Sequence, residues 1–130
     1  WAHADYLCSK VNPVFLTRGI VKIDDFLPWR DSDSRWTRRA APVSFIKIKK
    51  ETDPQILLSF VNPLMTDGER VVHQGTGWFL RELWKVHPHE VEDFLYLHRN
   101  SAARLIIRYA TEKLSKEERL RFRKDKPVQS

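Results

Sequence analysis

The chain has 130 residues, enough for one domain with a core of its own, and 23 Lys plus Arg against 17 Asp plus Glu leave a formal net charge of +6. A hydrophobic share of 42% excludes a wholly disordered or collagen-like chain, and no apolar run approaches the ~20 residues of a membrane-spanning helix. The single cysteine, Cys8, excludes an internal disulfide and a multi-cysteine zinc site, and it suits a reducing compartment.

The predicted elements are helical throughout. Ala2 to Lys10 reads as a short helix, broken at Asn12-Pro13. Val14, Phe15 and Leu16 restart a helix that stops near Gly19 or runs on through Val21 and Ile23 toward Leu27, with Pro28 ending it. Asp31-Ser32-Asp33-Ser34 is a polar link and an N-cap for a helix from Trp36 to Lys49. Its stripe is Trp36, Ala40, Val43, Ile46 and Lys47, and Pro42 inside it predicts a kink. Thr52-Asp53-Pro54 opens a helix with Ile56, Leu57, Phe60, Val61 and Leu64 at helical spacing, bent or ended by Pro63.

Thr66-Asp67 caps the longest predicted helix, Gly68 to Val86, with a stripe of Val71, Val72, Gly75, Trp78, Phe79 and Leu83. His87-Pro88 opens the next, with Val91, Phe94, Leu95 and Leu97 inward. Asn100-Ser101 caps a helix through Leu114 that carries Leu105, Ile106, Tyr109 and Ala110. Ser115 and Glu118 form a capping box for a last helix with Leu120 and Phe122. Residues 124–130 read as a flexible tail beyond a repeat domain of residues 1–123.

The starts have a rhythm. Long helices open near Ser34, Gly68 and Ser101, shorter ones near Pro54, Pro88 and Lys116, about 33–34 residues apart. Long then short at a fixed period predicts an all-α, right-handed superhelical stack of HEAT-like antiparallel helix pairs, an α-solenoid. A chain beginning at Trp1 is expected to be the C-terminal part of a longer solenoid.

The charges follow the repeats. Arg39 with Lys47, and Arg81 with Lys85, fall at equivalent places on two long helices, each pair on one face. Such a track attracts nucleic-acid phosphates above other polyanions. A solvated helical surface, or chance matching among 23 basic residues, accounts for the same charges without a ligand.

Few residues carry chemistry unaided. Trp78 lies in an apolar stripe, where tryptophan is usually core. Yet Gly75 and Gly77 beside it each cost about 1 kcal/mol in a helix interior, which points to close approach by another helix or a ligand. Trp1 and Asp5 are four residues apart and share one helical face, an ordinary pairing taken alone. His87-Pro88-His89 with Glu90 lacks a third metal ligand. Glu90, Glu92 and Asp93 read as a solvated face, His73 as a packed or surface side chain, and Cys8 as a small apolar residue. Phosphate-loop, dinucleotide and nucleophile-elbow motifs are missing.

Four stretches resemble one family. Gln74-Gly75-Thr76-Gly77-Trp78-Phe79-Leu80-Arg81-Glu82 is similar to the "K-x-I-G-W-x-L-R-E" helix of the AlkD-like DNA alkylation repair family, HEAT-repeat alkylpurine DNA glycosylases. Arg108-Tyr109-Ala110-Thr111-Glu112-Lys113 resembles its "L-R-x-A-x-E/K-K" helix, Trp36-Thr37-Arg38-Arg39-Ala40-Ala41 its "W-x-x-R-x-A" helix, and Trp1-Ala2-His3-Ala4-Asp5 its "W-x-x-x-D" segment. The order is the family's own. Ala2, Pro42 and the Gly75-Thr76 pair depart from the usual pattern.

The resemblance implies hydrolysis of the N-glycosidic bond of N3- or N7-alkylated purines in duplex DNA. By the same resemblance Asp5 is the catalytic carboxylate, and Trp1 and Trp78 contact the lesion's deoxyribose. Arg39 matches a backbone-binding arginine, and Lys47, Arg81 and Lys85 match basic positions of the concave face, with Arg38 and Arg108 as further DNA-binding candidates. It implies no metal, cofactor or membrane, and a cytoplasmic monomer, associated with the nucleoid if bacterial. Two other readings fit the scaffold: a catalytically silent binder of DNA structures, and a HEAT-type protein-interaction scaffold for an acidic partner.

Overall fold

Prolines and capping side chains set where the helices begin. The computed structural model describes residues 23–126, and within them every regular element is helical. Trp1, Asp5, Cys8, the two segments expected before residue 23 and residues 127–130 lie outside the described residues. A 3-10 turn, Ile23–Phe26, leads into α1, Leu27–Arg30. Pro28 therefore opens a helix and does not end one, because a proline in the first turn removes only a donor that has no intrahelical partner.

The remaining helices are α2 (Arg35–Ser44), α3 (Pro54–Val61), α4 (Arg70–Trp84), α5 (Pro88–Leu97) and α6 (Arg104–Ala110). Short 3-10 segments follow α2 (Ile46–Ile48) and α3 (Asn62–Thr66), and a last one spans Glu118–Phe122. Ser34 caps α2, its Oγ accepting from the Thr37 N–H at 3.3 Å. Asp53 caps α3 by accepting from the Gln55 N–H at 2.9 Å, with Pro54 at the first position.

Several expected ends move inward. The helix expected over Trp36 to Lys49 stops at Ser44, two residues past Pro42, and Phe45, Ile46 and Ile48 turn into the core through the 3-10 segment. The helix expected over Gly68 to Val86 is α4, two residues shorter at each end. Asp67 serves its approach differently from a cap: one carboxylate oxygen accepts from the Glu69 N–H at 2.9 Å while the group pairs with Arg38. The helix expected to reach Leu114 ends at Ala110, where Thr111 folds its hydroxyl back onto the Ile107 carbonyl at 2.7 Å.

The core is one apolar cluster that runs from Phe26 to Phe122. Edge-to-face aromatic pairs link Phe26 to Phe45 and Phe45 to Phe60, with centroids 5.2 and 4.9 Å apart. Leu97, expected inward, is 76% exposed, and Ile56, first of the apolar set read in α3, is 52% exposed. One row is α2, α4 and α6: α4 packs against α2 on one side and α6 on the other. The second row is α3 against α5 and α5 against Glu118–Phe122. The expected alternation of long and short does not hold, since α6, read as long, spans 7 residues and α5, read as short, spans 10. Two rows of paired helices, the first with members opening at residues 35, 70 and 104, make an all-α solenoid-like fold.

The capping box closes as read, with the Glu118 carboxylate accepting from the Ser115 N–H at 3.0 Å and Ser115 Oγ accepting from the Glu118 N–H at 3.1 Å. The start of the expected tail is held: the Asp125 carboxylate accepts from Arg99 at 2.9 and 3.1 Å and from Asn100 at 3.2 Å.

Candidate nucleic-acid interface

Three helices converge on one cleft because two glycines let them. A Cβ on Gly75 would lie 2.7 Å from Cγ of Arg39 on α2, and a Cβ on Gly77 would lie 2.6 Å from Cβ of Tyr109 on α6. Distances that short are too close for carbon atoms, so a larger residue at either place would force a neighbour to shift, and glycine lets α4 approach both helices as closely as it does. The approach anticipated beside Trp78 is thus that of helices, one on each side.

Between them opens a cleft of about 280 Å³ lined by Arg39, Gln74, Trp78, Arg81 and Tyr109. Gln74, Trp78 and Arg81 follow at steps of four and three, which puts them on one face of α4. Trp78 is half-buried: it packs against the core and also lines the cleft. Arg39 donates from Nη1 to the Val71 carbonyl at 3.0 Å, which ties it to the first turn of α4. Arg81 donates from Nη1 to the Glu112 carboxylate, and its Nε is buried without an acceptor among the described residues. The hydrogen bond and charge of Arg81, with smaller help from Lys113 and Arg119, hold the exposed Glu112 carboxyl below the usual carboxylate range.

The cleft sorts the expected site residues. Arg39, Trp78 and Arg81 meet in it. Lys47 does not join them: α2 ends at Ser44, so the eight-residue step from Arg39 does not run along one helix, and Lys47 is exposed on the following 3-10 turn. Lys85 lies just past α4 and pairs with Glu82 at 2.6 Å, also away from the cleft.

Arg38 faces a different task. Its Nε and Nη2 donate to Asp67 at 2.7 and 3.3 Å, its Nη1 donates to the carbonyls of Ser32 and Asp33, and both partners of the ion pair are largely buried. A guanidinium so engaged fastens α2 to the approach of α4 with four of its N–H donors, which leaves little of it for phosphate. Arg108 is exposed outside the cleft, whereas its neighbour Tyr109 lines it. One residue along a helix is a turn of about 100°.

Gln74 and Tyr109 are lining residues that the sequence reading did not select. The signal for Tyr109 was present in Gly77, which required something close, but nothing in the sequence specified which residue of α6 fills that place. Among the described residues there is no group of three metal-ligating side chains, and no helix is long and apolar enough to cross a membrane.

No curated protein matches the chain. A family model described as DNA alkylation repair enzyme matches residues 1–114, most of the chain and all of the cleft. The chain belongs to the DNA alkylation repair enzyme family.

Proposed function

We propose that the protein is a DNA glycosylase that hydrolyses the N-glycosidic bond of N3- or N7-alkylated purines in duplex DNA. The observation that carries this reading is the meeting of Trp78 with Arg39 and Arg81 in one cleft, within a chain of a DNA alkylation repair family. An alkylated purine is a cation and leaves without protonation. The enzyme's task is then to stabilise the positive charge that develops on the sugar and to place a water molecule. The face of an indole attracts such a cation by about 0.5–2 kcal/mol, the more so when water is excluded. Arginines on either side suit the flanking phosphates, giving affinity that depends on salt and little on sequence. A shallow cleft fits a substrate that is not swallowed whole, in contrast to a base-flipping pocket. The family resemblance supplies the carboxylate, Asp5, which acts electrostatically and orients the water, and Trp1 as a second aromatic face.

The test is release of free base from duplex DNA containing 7-methylguanine. The full chain should exceed the spontaneous rate, and Asp5→Asn should lose about a hundredfold or more of that rate while still binding DNA. Arg39→Ala should instead weaken binding and reduce the salt slope by about 1. Binding without release would identify a silent DNA binder. Failure to retain duplex DNA at low salt would leave the protein-interaction scaffold.

A further inference from the structure

We propose that Glu112 is an internal counterion that occupies Arg81 in the free protein and must yield it to a DNA phosphate. The inference rests on the DNA-binding reading above. The side-chain partner of Arg81 is an acidic group with much of its surface in solvent: side-chain exposure is 24% for Arg81 and 53% for Glu112. An ion pair open to water on its acidic side is worth little, so a phosphate can displace it at small cost. The Nε of Arg81 is meanwhile buried and has no acceptor among the described residues. A guanidinium presents donors in a planar fork, and a phosphate reaches two of them at once.

Glu112 is also held in place by its main chain. Its N–H donates to the Tyr109 carbonyl at 3.3 Å, and its own carbonyl accepts from Nη2 of Arg119 at 2.9 Å. Arg119 fixes the same turn by donating from Nε to the Thr111 and Leu114 carbonyls, both at 3.1 Å. The carboxylate therefore stays beside Arg81 because the turn that carries it is fastened, not because the ion pair alone holds it. Ringed by Arg81, Lys113 and Arg119, it remains charged at neutral pH. Its charge cancels one cation of the cleft and repels the phosphate that would approach it.

Glu112→Gln tests the idea, because the amide oxygen still accepts from Arg81 while the negative charge is gone. The measurement is affinity of the full chain for an undamaged duplex across a salt series. Binding should tighten roughly threefold to tenfold near 100 mM salt, and the log–log salt slope should steepen by about 0.9, one phosphate's worth. In an Arg81→Gln background the same change should give clearly less. Unchanged or weaker binding by Glu112→Gln, with wild-type binding intact, would overturn the proposal and leave Glu112 as a strut for Arg81. An equal gain in both backgrounds would also overturn it, since the carboxylate would then act by general repulsion. A wild-type chain that binds no duplex even at low salt would remove the DNA reading and this inference with it.

Discussion

At Gly77 the nearest obstacle to a methyl group is Cβ of Tyr109, an atom fixed to its own backbone, with the Ile106 carbonyl next at 3.2 Å. At Gly75 the nearest obstacle is Cγ of Arg39, which a change of rotamer can move, although the Arg39 carbonyl stands at 3.3 Å. At Gly68 nothing lies within 4 Å. Overpacking costs about 1–3 kcal/mol, and replacing a helical glycine with alanine returns about 1 kcal/mol of propensity. With the obstacle at Gly77 fixed to backbone, the overpacking there falls at the upper end of that range, so Gly77→Ala should lose about 2 kcal/mol in urea unfolding, Gly75→Ala less, and Gly68→Ala should stay within about 0.5 kcal/mol of the wild type. A Gly77→Ala chain as stable as the wild type would mean that α6 can retreat, and the account of the cleft would be wrong. The sequence makes this glycine pair readable as a contact, since a helix does not bear two such residues without return. It does not separate Arg38 from Arg39, because which of two neighbours faces a buried aspartate depends on where Asp67, 29 residues away, comes to lie.

Helix starts were more legible than helix ends. Ser34, Asp53-Pro54 and Pro88 act through their immediate neighbours, so their effect can be read locally. The ends depend on packing: α2 gives way at Ser44 so that Phe45, Ile46 and Ile48 can all reach the core, a geometry no single helical stripe allows. That early end is also why the matched basic pairs proposed from spacing do not become one track, and why the cleft had to be found in the structure. The Ser34 cap offers a test at this scale. Its Oγ satisfies the Thr37 N–H at the head of the helix that carries Arg39. Ser34→Ala should cost about 1 kcal/mol of stability, and Ser34→Asp should restore most of it, because either side chain can accept that bond and a carboxylate favours a helix start. Denaturant midpoints at a constant slope would measure both; equal midpoints for Ser34→Ala and wild type would show that the cap is idle.

The corner between α5 and α6 and the turns packed beside it join the two rows of helices, and acid should loosen the molecule there in two stages. His98, beside Phe94 at a ring separation of 4.5 Å, is pushed below its ordinary value of 6.5 by burial. Its carbonyl accepts from the Ser101 and Ala102 N–H groups, so the residue is part of the corner itself. A base whose folded value is lowered binds fewer protons when folded than when unfolded. Its contribution is present above about pH 6.5 and is lost as pH falls from there toward the folded value. The Asp125 carboxyl has its value lowered from 3.8 by hydrogen bonds from Arg99 and Asn100, and Glu118 from 4.5 by the Ser115 N–H and hydroxyl. Acids with lowered folded values stabilise above those ordinary values and lose that effect as pH falls through the folded ones. Thermal melting followed from pH 8 to pH 3 should thus decline in two steps, the first beginning near 6.5 and the second below about 4.5. His98→Gln should flatten the first step and spare the second, whereas Asp125→Asn should soften the second and spare the first. A wild-type midpoint that is level between pH 7 and pH 5, or a first step that survives His98→Gln, would place the acid sensitivity elsewhere than at this corner.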